Sequence, residues 1–125
     1  MSKHNLTLHH ASLIVADTEA SLKFYRDIIG LQPIERPELG FPGAWLAVGS
    51  QQIHLLELPN PDPTSGRPEH GGRDRHVAMH VDSIAALRET LENAGVAYTS
   101  SISGRKALFC RDRDGNALEF IERPG

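Results

Sequence analysis

Cysteine and long apolar runs are both scarce in this sequence. Cys110 is the single cysteine among 125 residues, so no disulfide forms within the chain and nothing indicates an oxidising compartment. No apolar run approaches the roughly 20 residues needed to span a bilayer, and the first residues lack the apolar stretch of a secretory leader. These absences predict a cytoplasmic protein without a membrane segment.

A surplus of positive charge is also missing. The chain has 13 Lys and Arg against 16 Asp and Glu, for a formal net charge of −3, and the two signs are mixed along its length. No basic face is available to neutralise phosphates, so we expect no nucleic-acid partner. Apolar residues make up 39% and charged residues 23%, which is typical of a globular chain. The length fits one domain, residues 1–125.

What the sequence does contain is the order β-α-β-β-β, twice. In the first half a strand pattern precedes helical spacing over residues 19–29, and three short strand patterns follow. The second half repeats this order, with its helix at residues 84–93. The predicted boundaries are a first module at 8–58, a linker at 59–75 and a second module at 76–122.

The two halves align as an internal repeat. His10 begins the stretch HASLIV, and His76, 66 residues later, begins HVAMHV. His54 lies in IHLLE, and Glu119, 65 residues later, lies in the similarly patterned LEFIE. Two copies of one module related by an approximate twofold axis would bring these positions together around a shared cleft. Four side chains of metal-binding type thus occupy two pairs of equivalent positions.

These four side chains predict a metal site. Each lies in an apolar, strand-like run, where a polar group on the inward face needs a partner. A lone histidine there is more often a hydrogen-bonded core residue, so the repeat-related spacing carries the prediction. Three imidazoles and one carboxylate suit Zn, Ni, Co, Fe or Mn better than Ca or Mg. We predict one divalent metal ion on His10, His54, His76 and Glu119.

Several other polar residues are candidates for a catalytic or structural role. His80 shares a strand face with His76, so it is either an additional acid or base or a hydrogen-bonded residue of the wall. Glu57 and Glu122 point away from the ligand face and are predicted to be surface residues. Cys110 is predicted to be a small packed residue, because no group nearby in sequence would activate a thiolate.

The linker is long for a connection in a small domain and is rich in Pro, Gly and Arg. It is either a solvated connector or a cover that closes over the cleft and holds an anionic substrate. The candidate substrate contacts share a positive charge: Arg67, Arg73 and Arg75 in the linker, Lys106 just inside a later predicted strand, and Arg105 before it.

Three motifs resemble those of the vicinal-oxygen-chelate superfamily, which includes glyoxalases, bleomycin-resistance proteins and ring-cleaving dioxygenases. They are HASLIVAD from His10, SLKFY from Ser21, and DRDGNALE ending at Glu119. The resemblance covers about residues 8–122. It implies an α+β fold in which two βαβββ modules form an open, cup-shaped mixed β-sheet barrel. It also implies that the four predicted ligands hold the metal inside the cup.

One position departs from the family pattern. Bacterial lactoylglutathione lyases and methylmalonyl-CoA epimerase-like members usually have Glu or Gln where this chain has His54. An imidazole bound to metal cannot transfer protons as a carboxylate does, so Glu119 is the only carboxylate of the predicted site. The departure makes two-base epimerisation less favoured and leaves a single-base proton shuttle.

The resemblance implies a metal-dependent glyoxalase-type lyase or isomerase acting on a small oxygenated substrate through an enediolate, with Glu119 and His80 as catalytic candidates. The alternatives are a single-domain Fe(II) ring-cleaving dioxygenase and a small-molecule sequestering resistance protein. The sequestering relatives generally lack the metal residues. The resemblance also favours a homodimer, although the sequence leaves open whether each site forms within one chain or across two.

Overall fold

The computed structural model describes residues 3–125, so residues 1 and 2 of the predicted domain lie outside the described part. The first module forms a four-stranded sheet in the order β1-β4-β3-β2. Its outer strand β1 runs parallel to β4, and the remaining neighbours are antiparallel. The strands are β1 (His10–Val15), β2 (Gln32–Ile34), β3 (Gly43–Val48) and β4 (Gln51–Glu57).

The second module repeats this topology in a sheet of order β5-β8-β7-β6, again with one parallel pair, β5 and β8. Its strands are β5 (His76–Val81), β6 (Tyr98–Ser100), β7 (Ala107–Arg111) and β8 (Ala117–Glu122). The predicted α+β fold of two βαβββ modules is therefore confirmed. The two mixed sheets do not close into a barrel.

The helices follow the first strand of each module, but the first one is not the continuous α-helix predicted for residues 19–29. Helix α1 (Thr18–Leu22) continues as a π-helical segment (Lys23–Ile28), in which the N–H of Ile29 donates to the carbonyl of Phe24, five residues earlier. Helix α2 (Ile84–Asn93) has the predicted bounds. No helix within residues 3–125 is long and apolar enough to cross a membrane.

The last strand of each module ends in a glutamate that binds the start of its helix. Glu57 accepts a hydrogen bond from the N–H of Thr18 at 2.8 Å, and Glu122 accepts one from the N–H of Ile84 at 2.9 Å. A helix begins with unpaired N–H groups and a partial positive charge, which a carboxylate stabilises. Both glutamates are half-buried, and they have a role in binding the helices that their prediction as surface residues did not include.

A shared hydrophobic core lies between the sheets and the helices. On β4 and β8 the core residues include Ile53, Leu55, Leu118 and Phe120, and Leu91 of α2 packs with them. Full burial of one such side chain contributes about 1.5–3 kcal/mol. Because strand side chains alternate between faces, the core residues leave their sequence neighbours on the opposite face of each sheet, where the predicted ligands lie.

A hairpin between β7 and β8 joins the modules through polar contacts. The buried hydroxyl of Tyr25 donates to Asp112 Oδ2 at 2.6 Å, and the side chain of Asn116 donates to the carbonyl of Ile14 at 3.1 Å. Asp114 Oδ1 accepts from a backbone N–H just after β1. Gly115 has φ +84°, and a Cβ there would lie 2.7 Å from a linker carbonyl oxygen. The turn therefore requires glycine.

Candidate metal centre

Strand register places the predicted ligands at equivalent points of the two sheets. His54 on β4 lies opposite Ser12, two residues beyond His10. Glu119 on β8 lies opposite Ala78, two residues beyond His76. The same register therefore brings each β1 or β5 histidine next to the β4 or β8 residue of its own module. The structure presents the four residues as two pairs, one in each module.

The pair in the second module is close and oriented. His76 Nε2 lies 3.2 Å from Glu119 Oε1, and the Glu119 side chain is only 3% exposed. His76 Nδ1 lies 2.9 Å from the carbonyl oxygen of Asp74. Because a carbonyl oxygen only accepts, Nδ1 is a donor, and Nε2 is the ring nitrogen that a metal ion would bind. A spacing of this size suits two neighbouring ligands of an ion bound at about 2.0–2.2 Å.

The pair in the first module is stacked instead. The rings of His10 and His54 lie 3.9 Å apart at 15°, and the indole of Trp45 covers the other face of His54 at 4.3 Å and 6°. His54 Nε2 lies 2.7 Å from the side-chain oxygen of Gln52. Ring nitrogens of stacked imidazoles point along nearly parallel planes, so the rings must turn before both bind one ion. The donor atoms fit a metal in kind, but this pair is not arranged for it.

Burial keeps His54 in the form that a metal needs. Its side chain is buried, and burial lowers the pKa of His54 below the usual value for histidine, with the neighbouring His10 adding to the shift. A metal binds the neutral imidazole. For His54, unstacking is therefore the main obstacle to metal binding, and loss of a proton is not.

One chain does not bring the two pairs together. Within residues 3–125, no group of three or more His, Cys, Asp or Glu side chains is close enough to hold a metal ion. A site with all four predicted ligands requires a second source for one pair. The four-ligand site therefore stays a prediction.

A small pocket opens beside Glu119. It encloses about 210 Å³ and is lined by His70, Arg73, Arg105 and Phe109, among others. Phe109 is the edge-on neighbour of His76, with ring centroids 5.3 Å apart. The linker supplies one wall, because its 3-10 turn (Gly71–Arg73) lies against β7 and β8. The linker therefore covers part of the ligand face of the second module.

The predicted cationic contacts separate into different groups. Arg67 binds Asp74 through two hydrogen bonds of 2.8 and 2.7 Å, and its side chain is only 17% exposed. Lys106 pairs with Glu122, which lies on the helix side of the sheet, at 3.5 Å. Both side chains are thus paired with carboxylates other than Glu119, and their substrate contacts stay predictions.

The roles of the remaining predicted residues stay predictions. Arg75 forms a surface pair with Asp62 at 2.8 Å, and Arg73 lines the pocket beside Glu119. His80 lies on β5 in register with Ile121, on the same strand face as His76. Cys110 is buried, and burial raises the pKa of its thiol to about 12, as expected for a packed residue.

Asp74 is the residue near the site that the sequence analysis missed. Its carboxylate binds both Arg67 and Arg111, the latter at 2.7 Å, and these guanidinium groups hold the pKa of Asp74 well below its usual range. Its carbonyl oxygen orients His76. An aspartate two residues before a predicted ligand, within an arginine-rich linker, was the available signal.

Comparison with known proteins identifies the family. Its profile, described as the Glyoxalase/Bleomycin resistance protein/Dioxygenase superfamily, matches residues 7–120. The chain is 31% identical over 123 residues to Glyoxylase I 4 of Arabidopsis thaliana, covering 94% of this chain and 71% of the relative. It is 31% identical over 125 residues to a lactoylglutathione lyase of Haemophilus influenzae, covering 90% of each.

More distant matches agree with this assignment. The mitochondrial methylmalonyl-CoA epimerase of Mus musculus is 28% identical over 128 residues, covering 93% of this chain and 72% of the relative. A crystal structure described as a putative glyoxalase family protein from Bacillus anthracis superposes with a TM-score of 0.82 at 23% identity, covering 99% of this chain and 100% of that one. The chain belongs to the Glyoxalase/Bleomycin resistance protein/Dioxygenase superfamily.

Proposed function

We propose that this protein is a metal-dependent glyoxalase-type lyase or isomerase that moves a proton between adjacent carbons of a small oxygenated substrate. The observation that carries the proposal is the oriented pair of His76 and buried Glu119, 3.2 Å apart, at positions that repeat His10 and His54. The similarity to a lactoylglutathione lyase and to a methylmalonyl-CoA epimerase supports the same chemical class.

Each residue has a distinct role in this proposal. A divalent ion, when bound, supplies Lewis acidity to a substrate oxygen. Glu119 accepts and returns the proton, because it is the one carboxylate of the predicted set and is screened from water. The backbone of Asp74 holds His76 in the tautomer that leaves Nε2 free. Phe109 walls the pocket and limits water beside Glu119.

The predicted quartet is completed by two chains. One chain of a homodimer provides His10 and His54, and its partner provides the second-module pair. The support for this arrangement is the separation of the pairs within residues 3–125, where no three metal-binding side chains meet. A twofold dimer of such chains would contain two equal sites.

The second candidate is an Fe(II) ring-cleaving dioxygenase. Histidine and carboxylate ligands also suit Fe(II), so the predicted ligand set serves this chemistry as well and does not by itself separate it from the lyase. Sequestration of a small molecule without chemistry is the third possibility. The three proposed functions can be distinguished by the metal ion that each requires and by the product that each forms.

The test uses the purified full-length protein, reconstituted anaerobically with Zn, Ni, Co or Fe(II). We expect metal to alter the fluorescence of Trp45, the only tryptophan, because its ring stacks on His54. We also expect turnover of the methylglyoxal–glutathione hemithioacetal with Zn, Ni or Co. The Glu119→Gln variant at saturating metal should be about 10² to 10⁴ times slower, whereas Glu89→Gln, an exposed carboxylate on α2, should match the unmodified protein.

The other outcomes are equally specific. Oxygen uptake with catechols and Fe(II), without hemithioacetal turnover, would support the dioxygenase. Ligand binding without bound metal, unchanged in His76→Ala, would support sequestration. Either result would overturn the proposed lyase or isomerase.

A further inference from the structure

Arg105 is the cation nearest to the predicted base. It lies at the end of the irregular segment between β6 and β7, and its Nη2 donates to Glu119 Oε2 at 3.0 Å. The arginine side chain is 56% exposed, while the glutamate side chain is 3% exposed. The contact therefore joins a solvent-facing cation to a buried carboxylate.

The two oxygens of Glu119 have different neighbours. Oε1 faces His76 Nε2, and Oε2 faces Arg105. The pocket beside them is lined by no other carboxylate. A buried carboxylate is costly unless a counter-charge or hydrogen bonds compensate for lost hydration. In the chain as described, the guanidinium of Arg105 is the permanent counter-charge in contact with Glu119.

The first module has no such cation at the equivalent position. The offset that aligns Trp45 with Phe109 is 64 residues, and it places Phe41 where the second module has Arg105. The first module also has no carboxylate to neutralise, because His54 stands at the place of Glu119. The guanidinium of Arg36 does lie near this place, 5.0 Å from the centre of the Phe41 ring, but it donates to the carbonyl of Phe41, whereas Arg105 donates to a carboxylate.

We propose that Arg105 is a positioning residue that holds Glu119 in the metal-free protein and competes with the incoming metal ion for it. This inference rests on the proposed metal site. Two cations on one carboxylate would repel each other, so the guanidinium of Arg105 would oppose the binding of an ion to Glu119. Arg105 lies outside β7 and its side chain is 56% exposed, so it can turn into solvent without disturbing the sheet. It therefore weakens metal binding while stabilising the metal-free site.

The experiment compares three substitutions by competition with a chromophoric chelator for Zn or Ni. Arg105→Gln should bind metal roughly threefold to tenfold more tightly than the unmodified protein. Arg105→Lys, which keeps the charge, should restore much of the weaker binding. Lys106→Gln is the matched control: it removes the same charge one residue away, where the side chain pairs with Glu122, and should leave the affinity unchanged.

Thermal unfolding gives a second readout. Without metal, Arg105→Gln should melt below the unmodified protein, since Glu119 has lost its counter-charge, and saturating metal should remove the difference. Equal or weaker metal binding by Arg105→Gln would overturn the inference, as would an equal gain in Lys106→Gln. If no protein of the set binds metal, the proposed function fails as well, and this outcome is distinct from bound metal with unchanged affinities.

Discussion

The two modules share one β-sheet topology and differ in the side chains at the equivalent positions of the ligand face. In the first, His54 is held between the rings of His10 and Trp45, with no carboxylate at the equivalent point. In the second, His76 meets a buried glutamate, and Arg105 neutralises that glutamate from the solvent side. The same strand register therefore holds an aromatic stack in one half and an ionic pair in the other.

This difference shows that the position of a site and the chemistry of a site are determined by different features of the chain. The β-sheet register dictates that a β1 or β5 residue and a β4 or β8 residue meet on one face of each module. Which side chains occupy those points decides whether the half site is arranged for metal. The second half is oriented before an ion arrives, whereas the first must unstack. We expect the second half to provide most of the binding energy.

The largest effect on stability should come from the joint between the halves. Asp112 is buried and accepts hydrogen bonds from Tyr25, from Asn116 and from two backbone N–H groups of the hairpin. We expect Asp112→Ala to lower the free energy of unfolding by about 3 kcal/mol, because charged hydrogen bonds are lost and the buried Tyr25 hydroxyl loses its partner. Urea unfolding measures this loss.

The same urea unfolding experiment tests whether the two modules unfold cooperatively. Trp45 fluorescence reports on the first module and circular dichroism on the whole chain. These transitions should coincide in the unmodified protein and separate in Asp112→Ala. Asp82→Ala is the control, since its side chain is 93% exposed and forms only a surface pair with Arg123. An equal loss in the control would show that the joint has no special part in stability.

A smaller effect on stability, which depends on pH, should come from Glu122. The hydrogen bond from the N–H of Ile84 lowers the pKa of Glu122. A lowered pKa stabilises the fold above the unfolded value of about 4.3, and this contribution is lost as the pH falls through the folded pKa. Glu122→Gln should therefore be less stable than the unmodified protein at pH 7, and the difference should vanish in acid.

The matched substitution in the first module is Glu57→Gln, which alters the equivalent hydrogen bond to Thr18. The free energy of unfolding, measured from pH 7 to pH 3 for both variants, gives the pH dependence of each contribution. A difference for Glu122→Gln that persists unchanged at the acid end would contradict the assignment of its stabilising role to the charged carboxylate.

The repeated fold could be predicted because its signals are local and periodic. The alternation of β5 and the spacing of α2 gave the observed bounds, and the 66- and 65-residue offsets located equivalent strand positions. The π-helical segment was not predicted, because the spacing of apolar residues over 19–29 does not distinguish hydrogen bonds to the fourth residue back from hydrogen bonds to the fifth.

The site was harder to predict than the fold because charges choose partners in three dimensions. Arg67, Arg75 and Lys106 have the right charge for an anionic substrate, but the sequence could not show that each forms an ion pair with a carboxylate other than Glu119. Asp74 and Arg111 acquire their roles only when the linker folds onto β7. Arg105 could be named as a candidate cation, but its contact with Glu119 joins residues 14 positions apart across two strands.

The most direct test of the proposed site is complementation between two inactive chains. His10→Ala removes a ligand from the first-module pair, and Glu119→Gln impairs the second. If each site is built from the unlike halves of two chains, a mixed dimer has one site with both defects and one with neither. Random mixing should then restore roughly a quarter of the unmodified activity. Mixed dimers that form but remain as inactive as either variant alone would contradict the two-chain site.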